Sequence, residues 1–353
     1  MSGDEFVIFL YGYDSKDEIR EICEQIQQGM HNTTMRLPDY GKVQVRASAG
    51  LAWYPDDSQD YHQLIRYADF TMYFIKHTNK GRFNEFNIES YNKEAYLLHC
   101  REELNIIIDE ELVDYQFQPI VDARTGEIFA FEALMRPKTP NIQNPAELLT
   151  LARSQSKLSA IERLTWFRCL ECFDHLPIAQ SNCKLFVNSI ANQVLSSQDQ
   201  AKLEEQYGRY LNRLVVELTE EDRVDVCSEP IREKQSMIHR WNAQMALDDF
   251  GVGYNGEAKL VDLSPGYVKL DMSIIRNVHL DENRRILLKN LIPYCKERGI
   301  KIIAEGVELR EEMEVLIAFG VDYLQGYYLG KPTYQPMPEL PERREEILKI
   351  QKR

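Results

Sequence analysis

The segment Met245-Ala-Leu-Asp248-Asp249-Phe-Gly251 ends an apolar run in two adjacent carboxylates and a glycine-rich turn, and a second apolar run leads on to Lys269 and Asp271. Neighbouring acids on a strand point to opposite faces. Where the strand turns into a loop both can reach one pocket, and a cation between them offsets the like-charge cost. A strand followed by an acidic N-cap is the ordinary alternative for such a pair.

The rest of the chain weighs against that alternative, because six further apolar runs also end in a polar group. Phe129-Ala-Phe131 ends at Glu132, Leu185-Phe-Val187 at Asn188, Val215-Val216 at Glu217, Tyr267-Val268 at Lys269, Ile302-Ile-Ala304 at Glu305 and Tyr323-Leu324 at Gln325. Helix-period segments separate them at intervals mostly suited to one βα unit each, which predicts a closed α/β barrel. Strand C-termini of such a barrel converge on one mouth, so the seven side chains are expected to line one pocket. Ahead of them, Tyr115–Val121 and Glu127–Phe131 flank Asp122-Ala-Arg-Thr-Gly126; so short a link predicts an antiparallel pair that departs from the all-parallel plan.

Four or five carboxylates with an amide oxygen are hard ligands, suited to Mg²⁺ or Mn²⁺ rather than zinc. Two ions sharing a carboxylate would clamp a phosphodiester for in-line attack by water, with Lys269 orienting the water or stabilising the charge that develops. The seven histidines show no metal-type spacing, and Cys169-Leu-Glu-Cys172, in a predicted helix, reads as structural.

Composition sets the limits. The 353 residues suggest two domains, and 44% apolar content allows a sizeable core. A formal charge of -14 argues against a duplex nucleic-acid binder that relies on diffuse basic surface. Scattered cysteines, no signal peptide and no long apolar run fit a cytoplasmic protein without a membrane segment.

The motifs Glu132-Ala-Leu134 with Met135-Arg136, Val187-Asn188, Glu217-Leu-Thr-Glu220, Asp248-Asp-Phe-Gly-Val-Gly-Tyr254, Val268-Lys-Leu-Asp271, Ala304-Glu-Gly-Val-Glu308 and Gln325-Gly-Tyr327 resemble the EAL family of cyclic di-GMP phosphodiesterases. The resemblance spans about Gln116 to Pro332 and implies a modified TIM (β/α)8 barrel with one antiparallel strand. It implies that Glu132, Asn188, Glu217 and Asp248 hold a first metal, and that Asp248 bridges to a second completed by Asp249, with Glu305 nearby. Lys269 would contact the nucleophilic water, Glu308 and Gln325 would support the metal-water shell, and Gln118 and Arg136 would contact substrate. Glu220 would anchor the loop after Asp249 and so link catalysis to a homodimer formed through the barrel. That loop departs from the family, with Asn255, Gly256 and Glu257 where two serines and a leucine are usual, which implies activity dependent on dimerisation or on the N-terminal segment.

Residues 1–88 read as strand Val7–Leu10, a helix from about Ser15 to Met30, strand Val43–Trp53, a helix from about Tyr61 to His77 and strand Arg82–Phe86. Ser2-Gly-Asp-Glu-Phe6, Ser48-Ala-Gly-Leu-Ala52, Ala68–Lys76 and Lys80-Gly-Arg82 resemble the C-terminal half of a GGDEF, or diguanylate cyclase, domain. Ser2 replaces the first motif glycine and Phe83 the asparagine expected after Arg82, and the first metal-binding strand is missing, so a truncated α+β half-domain without cyclase activity is expected. A linker helix (89–112) follows, then the barrel (113–336) and a charged C-terminal helix (337–353). The expected function is hydrolysis of cyclic di-GMP to linear pGpG with two Mg²⁺ or Mn²⁺ ions. The competing readings are a receptor that binds without cleaving, and a first unit that acts as a GTP-responsive or dimerising module.

Overall fold

A computed structural model describes residues 6–36, 42–44, 47–78, 83–219, 228–251 and 256–352. The chain divides into two compact units, Met1–His99 and Cys100–Arg353. No helix among the described residues is long and apolar enough to cross a membrane.

In the first unit, helices α1 (Lys16–Asn32) and α2 (Tyr61–Thr78) accompany two small sheets. Strands β1 (Thr34–Arg36) and β2 (Lys42–Gln44) pair antiparallel, and β3 (Ala49–Leu51) and β4 (Phe83–Glu85) pair parallel. Ser15 caps α1 by accepting from the Glu18 amide. Gly50 lets α2 lie against β3, since a Cβ there would stand 2.0 Å from the Ala68 carbonyl. Two strand expectations need correction. Val7–Leu10 forms no strand: nothing among the described residues pairs with it, and Phe6, Val7, Ile8 and Phe9 lie exposed. The predicted strand Val43–Trp53 is represented by two short pieces, β2 and β3, which pair with different partners. The motif residues Ser2-Gly-Asp-Glu5 and Lys80-Gly-Arg82 lie outside the described residues.

Helix α3 (Ile88–Asp109) precedes the barrel strands β5 (Val113–Asp122), β6 (Ile128–Pro137), β7 (Lys184–Asn188), β8 (Leu214–Thr219), β9 (Gln244–Phe250), β10 (Tyr267–Leu270), β11 (Lys301–Ala304) and β12 (Tyr323–Leu324). They close in the order β10-β11-β12-β5-β6-β7-β8-β9, and β5 alone runs antiparallel to both neighbours. This is the modified barrel the sequence predicts. The β5–β6 turn forms as read: Asp122 accepts from the Arg124 and Thr125 amides, and Gly126 takes a φ of 68°. One boundary differs. Glu132 does not end its strand, because β6 continues to Pro137 along the equally long β5, beyond its last pairing with β7 at Ala133.

The outer helices include α4 (Pro145–Ser154), α5 (Leu158–Asp174), α6 (Ser197–Leu211), α7 (Glu229–Arg240), α8 (Gly256–Leu263), α9 (Met272–Ile275), α10 (Glu282–Glu297), α11 (Arg310–Phe319) and α12 (Pro341–Gln351). Inside the barrel, Ile120, Ala130, Phe186, Val215, Ala246, Tyr267 and Ile303 form one buried layer, with Tyr323 packed against it. Every barrel strand contributes to this layer, β6 with both Ala130 and Phe129. Burying such side chains is worth roughly 1.5–3 kcal/mol for each large one, so the layer is a rigid floor.

Candidate functional site

The floor fixes what stands above it. Side chains two positions apart on a strand share a face, and two positions toward the mouth from the floor residues stand Gln118, Glu132, Asn188, Glu217, Asp248, Lys269, Glu305 and Gln325. On β5, which runs the other way, the polar residue precedes its floor residue; in the other seven it follows. Eight polar side chains on one rim are therefore a direct product of period-two alternation over a closed apolar layer.

Lys269 lies at their centre, 1% exposed. Its Nζ is 2.7 Å from Glu217 Oε1, 2.7 Å from Glu305 Oε1, 3.1 Å from Asp248 Oδ1 and 3.2 Å from Glu132 Oε2. Burial works against the ammonium charge, but Asp248, Glu132, Glu217 and Glu305 outweigh it and hold the Lys269 pKa well above its usual value. Four carboxylates facing one ammonium are undercompensated. Burial, then the charge of Glu132, pushes Glu217 well above the ordinary carboxylate range, and burial likewise raises Asp248 and Glu305.

The donors separate into two groups. Carboxylate oxygens of Glu132, Glu217 and Asp248 lie within 4.8 Å of one another, and so do those of Asp248, Asp249 and Glu305. Asn188 adjoins the first group, its Nδ2 donating to Glu132 Oε1 at 3.3 Å. Neither oxygen of the wholly buried Glu217 receives a well-directed hydrogen bond, nor does Oδ1 of Asp248. Buried carboxylates left in this way, all of them hard oxygen donors, fit divalent cations such as Mg²⁺ or Mn²⁺.

A bulge in the barrel wall brings Asp249 into the second group. Val268 pairs with Leu247 and Leu270 with Phe250, so Asp248 and Asp249 together oppose the single residue Lys269. Asp249 takes a φ of 54°, a left-handed conformation that aspartate tolerates better than most residues. The two acids thus share one pocket despite being neighbours on a strand.

Two glutamines complete the rim. Gln325 Nε2 donates to Glu132 Oε2 at 2.5 Å and to Gln118 Oε1 at 3.2 Å, and Gln118 Nε2 donates to the Gly330 carbonyl. Gly326 lets the chain just after Gln325 lie against Val307, because a Cβ there would stand 2.2 Å from the Val307 backbone.

Two predicted residues sit apart from the carboxylates. Arg136, near the end of β6, donates to Gln116 Oε1 and to the Met135 carbonyl. Glu308 is exposed and accepts from Arg276 at 2.7 Å. Glu220 and Asn255 lie outside the described residues, while Gly256 and Glu257 open α8. One buried polar group escaped the sequence reading: Glu162, Ser189 and Lys234 gather directly behind Asn188. A signal was available, since Lys234 interrupts the buried stripe Ile231, Met237 and Ile238 of α7.

The family model for the EAL domain matches residues 101–332, and that for the diguanylate cyclase GGDEF domain matches residues 1–82. The cyclic di-GMP phosphodiesterase PdeR of Escherichia coli strain K12 is 26% identical over 341 residues, covering 94% of this chain and 50% of PdeR. This chain thus spans about half the length of that relative. A standalone versatile EAL protein from Vibrio cholerae O395, solved in its c-di-GMP-bound form, shares 29% identity with a TM-score of 0.56, over 65% of this chain and 97% of that one. The manganese/cy-diGMP complex of Klebsiella pneumoniae BlrP1 matches the fold with a TM-score of 0.54 at 22% identity, over 63% of this chain and 56% of that one.

Proposed function

Because the chain belongs to the EAL domain family over residues 101–332, we propose that its barrel is a metal-dependent phosphodiesterase that opens cyclic di-GMP to linear pGpG. The observation that carries this reading is the pair of carboxylate groups that share Asp248. The V. cholerae relative binds c-di-GMP, and the relative from K. pneumoniae was solved with manganese and the same ligand.

Glu132, Asn188, Glu217 and Asp248 would hold one divalent ion, and Asp248, Asp249 and Glu305 a second, with Mg²⁺ or Mn²⁺ suited to these donors. Bound there, the ions supply activation of water and neutralisation of the phosphate oxygens. Lys269, held protonated by its four neighbours, acts as a fixed positive donor and not as a base. Its ammonium stabilises negative charge as it develops at the phosphate. Gln325 orients Glu132 and ties it to Gln118, which would contact the dinucleotide. Arg136 offers a planar guanidinium to a phosphate once it exchanges its contact with Gln116. Glu308, which is paired with Arg276 in this structure, would support the metal-water shell, and Glu220 would anchor the loop after Asp249.

In this reading residues 113–336 carry the chemistry in a cytoplasmic homodimer formed through the barrel. Residues 1–88 regulate it through the helical segment 89–112. Incubating the protein with cyclic di-GMP and Mg²⁺ or Mn²⁺ and separating the nucleotides tests the proposal. Linear pGpG is expected, and Glu132→Ala should keep the fold and abolish cleavage; retention of intact, bound cyclic di-GMP would instead identify a non-hydrolysing receptor.

A further inference from the structure

Behind the rim lies a charged pair fully withdrawn from solvent. Glu162 of α5 is 1% exposed and Lys234 of α7 0% exposed, with Lys234 Nζ 3.0 Å from Glu162 Oε1. Taking two charges out of water costs several kcal/mol per ion before their attraction is counted, and well-packed apolar residues often serve stability as well or better. The pair therefore calls for an explanation other than stability.

Its hydrogen bonds supply one. Glu162 Oε2 accepts from the Ile190 amide at 2.8 Å, and Lys234 donates to the Ile190 carbonyl at 2.8 Å. Glu162 Oε1 accepts from the Ser189 hydroxyl at 2.6 Å and from Trp166 Nε1 at 2.9 Å, while Lys234 donates to Ser189 Oγ at 2.5 Å. The Ser189 amide donates to the Glu217 carbonyl at 3.0 Å. Two outer helices thus grip both backbone polar groups of Ile190 and the side chain of Ser189, the two residues that follow Asn188.

We propose that Glu162, Lys234 and Ser189 are positioning residues that fix the amide of Asn188 at the first carboxylate group. Without them the turn after β7 would rest on the Ser189 amide, and Asn188 would be free to swing about the end of its strand. The pair exchanges some stability for a single placement of an uncharged ligand, whose grip on a cation depends on orientation more than a carboxylate's does. The inference rests on the metal-dependent reading of the site given above.

The test is calorimetric titration of the full chain with Mn²⁺ alone, beside melting curves recorded in chelator. Outer-sphere partners of metal ligands typically contribute 10–100-fold in affinity. Ser189→Ala is therefore expected to weaken Mn²⁺ binding about tenfold or more while the chelated protein stays folded, and Ser189→Thr, which keeps the hydroxyl, should recover most of the loss. The double variant Glu162→Met with Lys234→Met removes both charges and is expected to fold, to bind Mn²⁺ about as weakly as Ser189→Ala, and to lose amide-exchange protection at Ile190. A purely structural role would lower the melting temperature and leave the affinity of the folded protein unchanged. Folded Ser189→Ala binding Mn²⁺ within about twofold of wild type, against an outer-sphere effect of roughly tenfold, would overturn the positioning role even if the double variant failed to fold. Wild type that binds no Mn²⁺ would overturn the metal reading, and this proposal with it.

Discussion

The ammonium of Lys269 and Oε1 of Glu217 lie 2.7 Å apart, with both side chains almost wholly withdrawn from solvent. Lys269→Met removes the charge that Glu132, Asp248 and Glu305 also face. Breaking a buried pair from one side costs about 3–5 kcal/mol. We expect that loss in melts recorded with chelator, a partial recovery on adding Mn²⁺, and a fall in turnover of about 10²-fold or more.

Glu217→Gln should behave oppositely. It removes one of four crowded negative charges while keeping shape and an acceptor for Lys269, so the chelated protein should melt no lower than wild type. Mn²⁺ affinity, measured by calorimetry, should fall by more than the roughly tenfold that loss of an outer partner causes.

At Asp249 the backbone and the carboxylate can be separated. A left-handed φ costs most side chains roughly 1–2 kcal/mol and glycine almost nothing. Chemical denaturation of Asp249→Ala should show a stability about 1 kcal/mol below that of Asp249→Gly, while both variants lose hydrolysis alike. Equal stabilities would mean that the bulge relaxes.

Alkaline pH should loosen the barrel before it exposes reactive thiols. Burial pushes the Cys172 and Cys295 thiols up to about 11, and burial with the Asp122 and Asp322 charges pushes the Tyr323 phenol up to about 12. The folded state holds these protons more tightly than the unfolded chain, whose thiols titrate near 8.5 and phenols near 10. Their contribution to stability is therefore complete below about pH 8.5 and is lost as pH rises toward the folded values. Melting temperatures should fall through that window, less steeply in Cys172→Ser, and iodoacetamide at neutral pH should label native Cys172 slowly.

Much of the site was legible because alternation is strict. Once Phe186, Val215, Ala246 and Ile303 are taken as inward-facing, Asn188, Glu217, Asp248 and Glu305 must follow them inward. The bulge was not legible, since pairing against Lys269 decides it and no local pattern at Asp248–Asp249 does. Glu132 was misread as a strand end because nothing within β6 records how far β5 will accompany it. Glu162 escaped because it reads locally as a helix-surface charge; Lys234 does interrupt the apolar stripe of α7, but only its meeting with Glu162 across α5 and α7 shows the buried pair.

The reversed direction of β5 has a consequence for how the polypeptide reaches its own chemistry. In an all-parallel barrel the first strand would start at the far end, and the chain would have to traverse the wall before arriving at the carboxylate rim. Here Val113 pairs with Pro137, beyond the level of Asn188, so the doorway of the barrel and its workplace are the same edge. A disturbance at residues 110–112 needs to travel only from Val113 to Gln118, along a single extended strand, to touch the side chains gathered around Lys269.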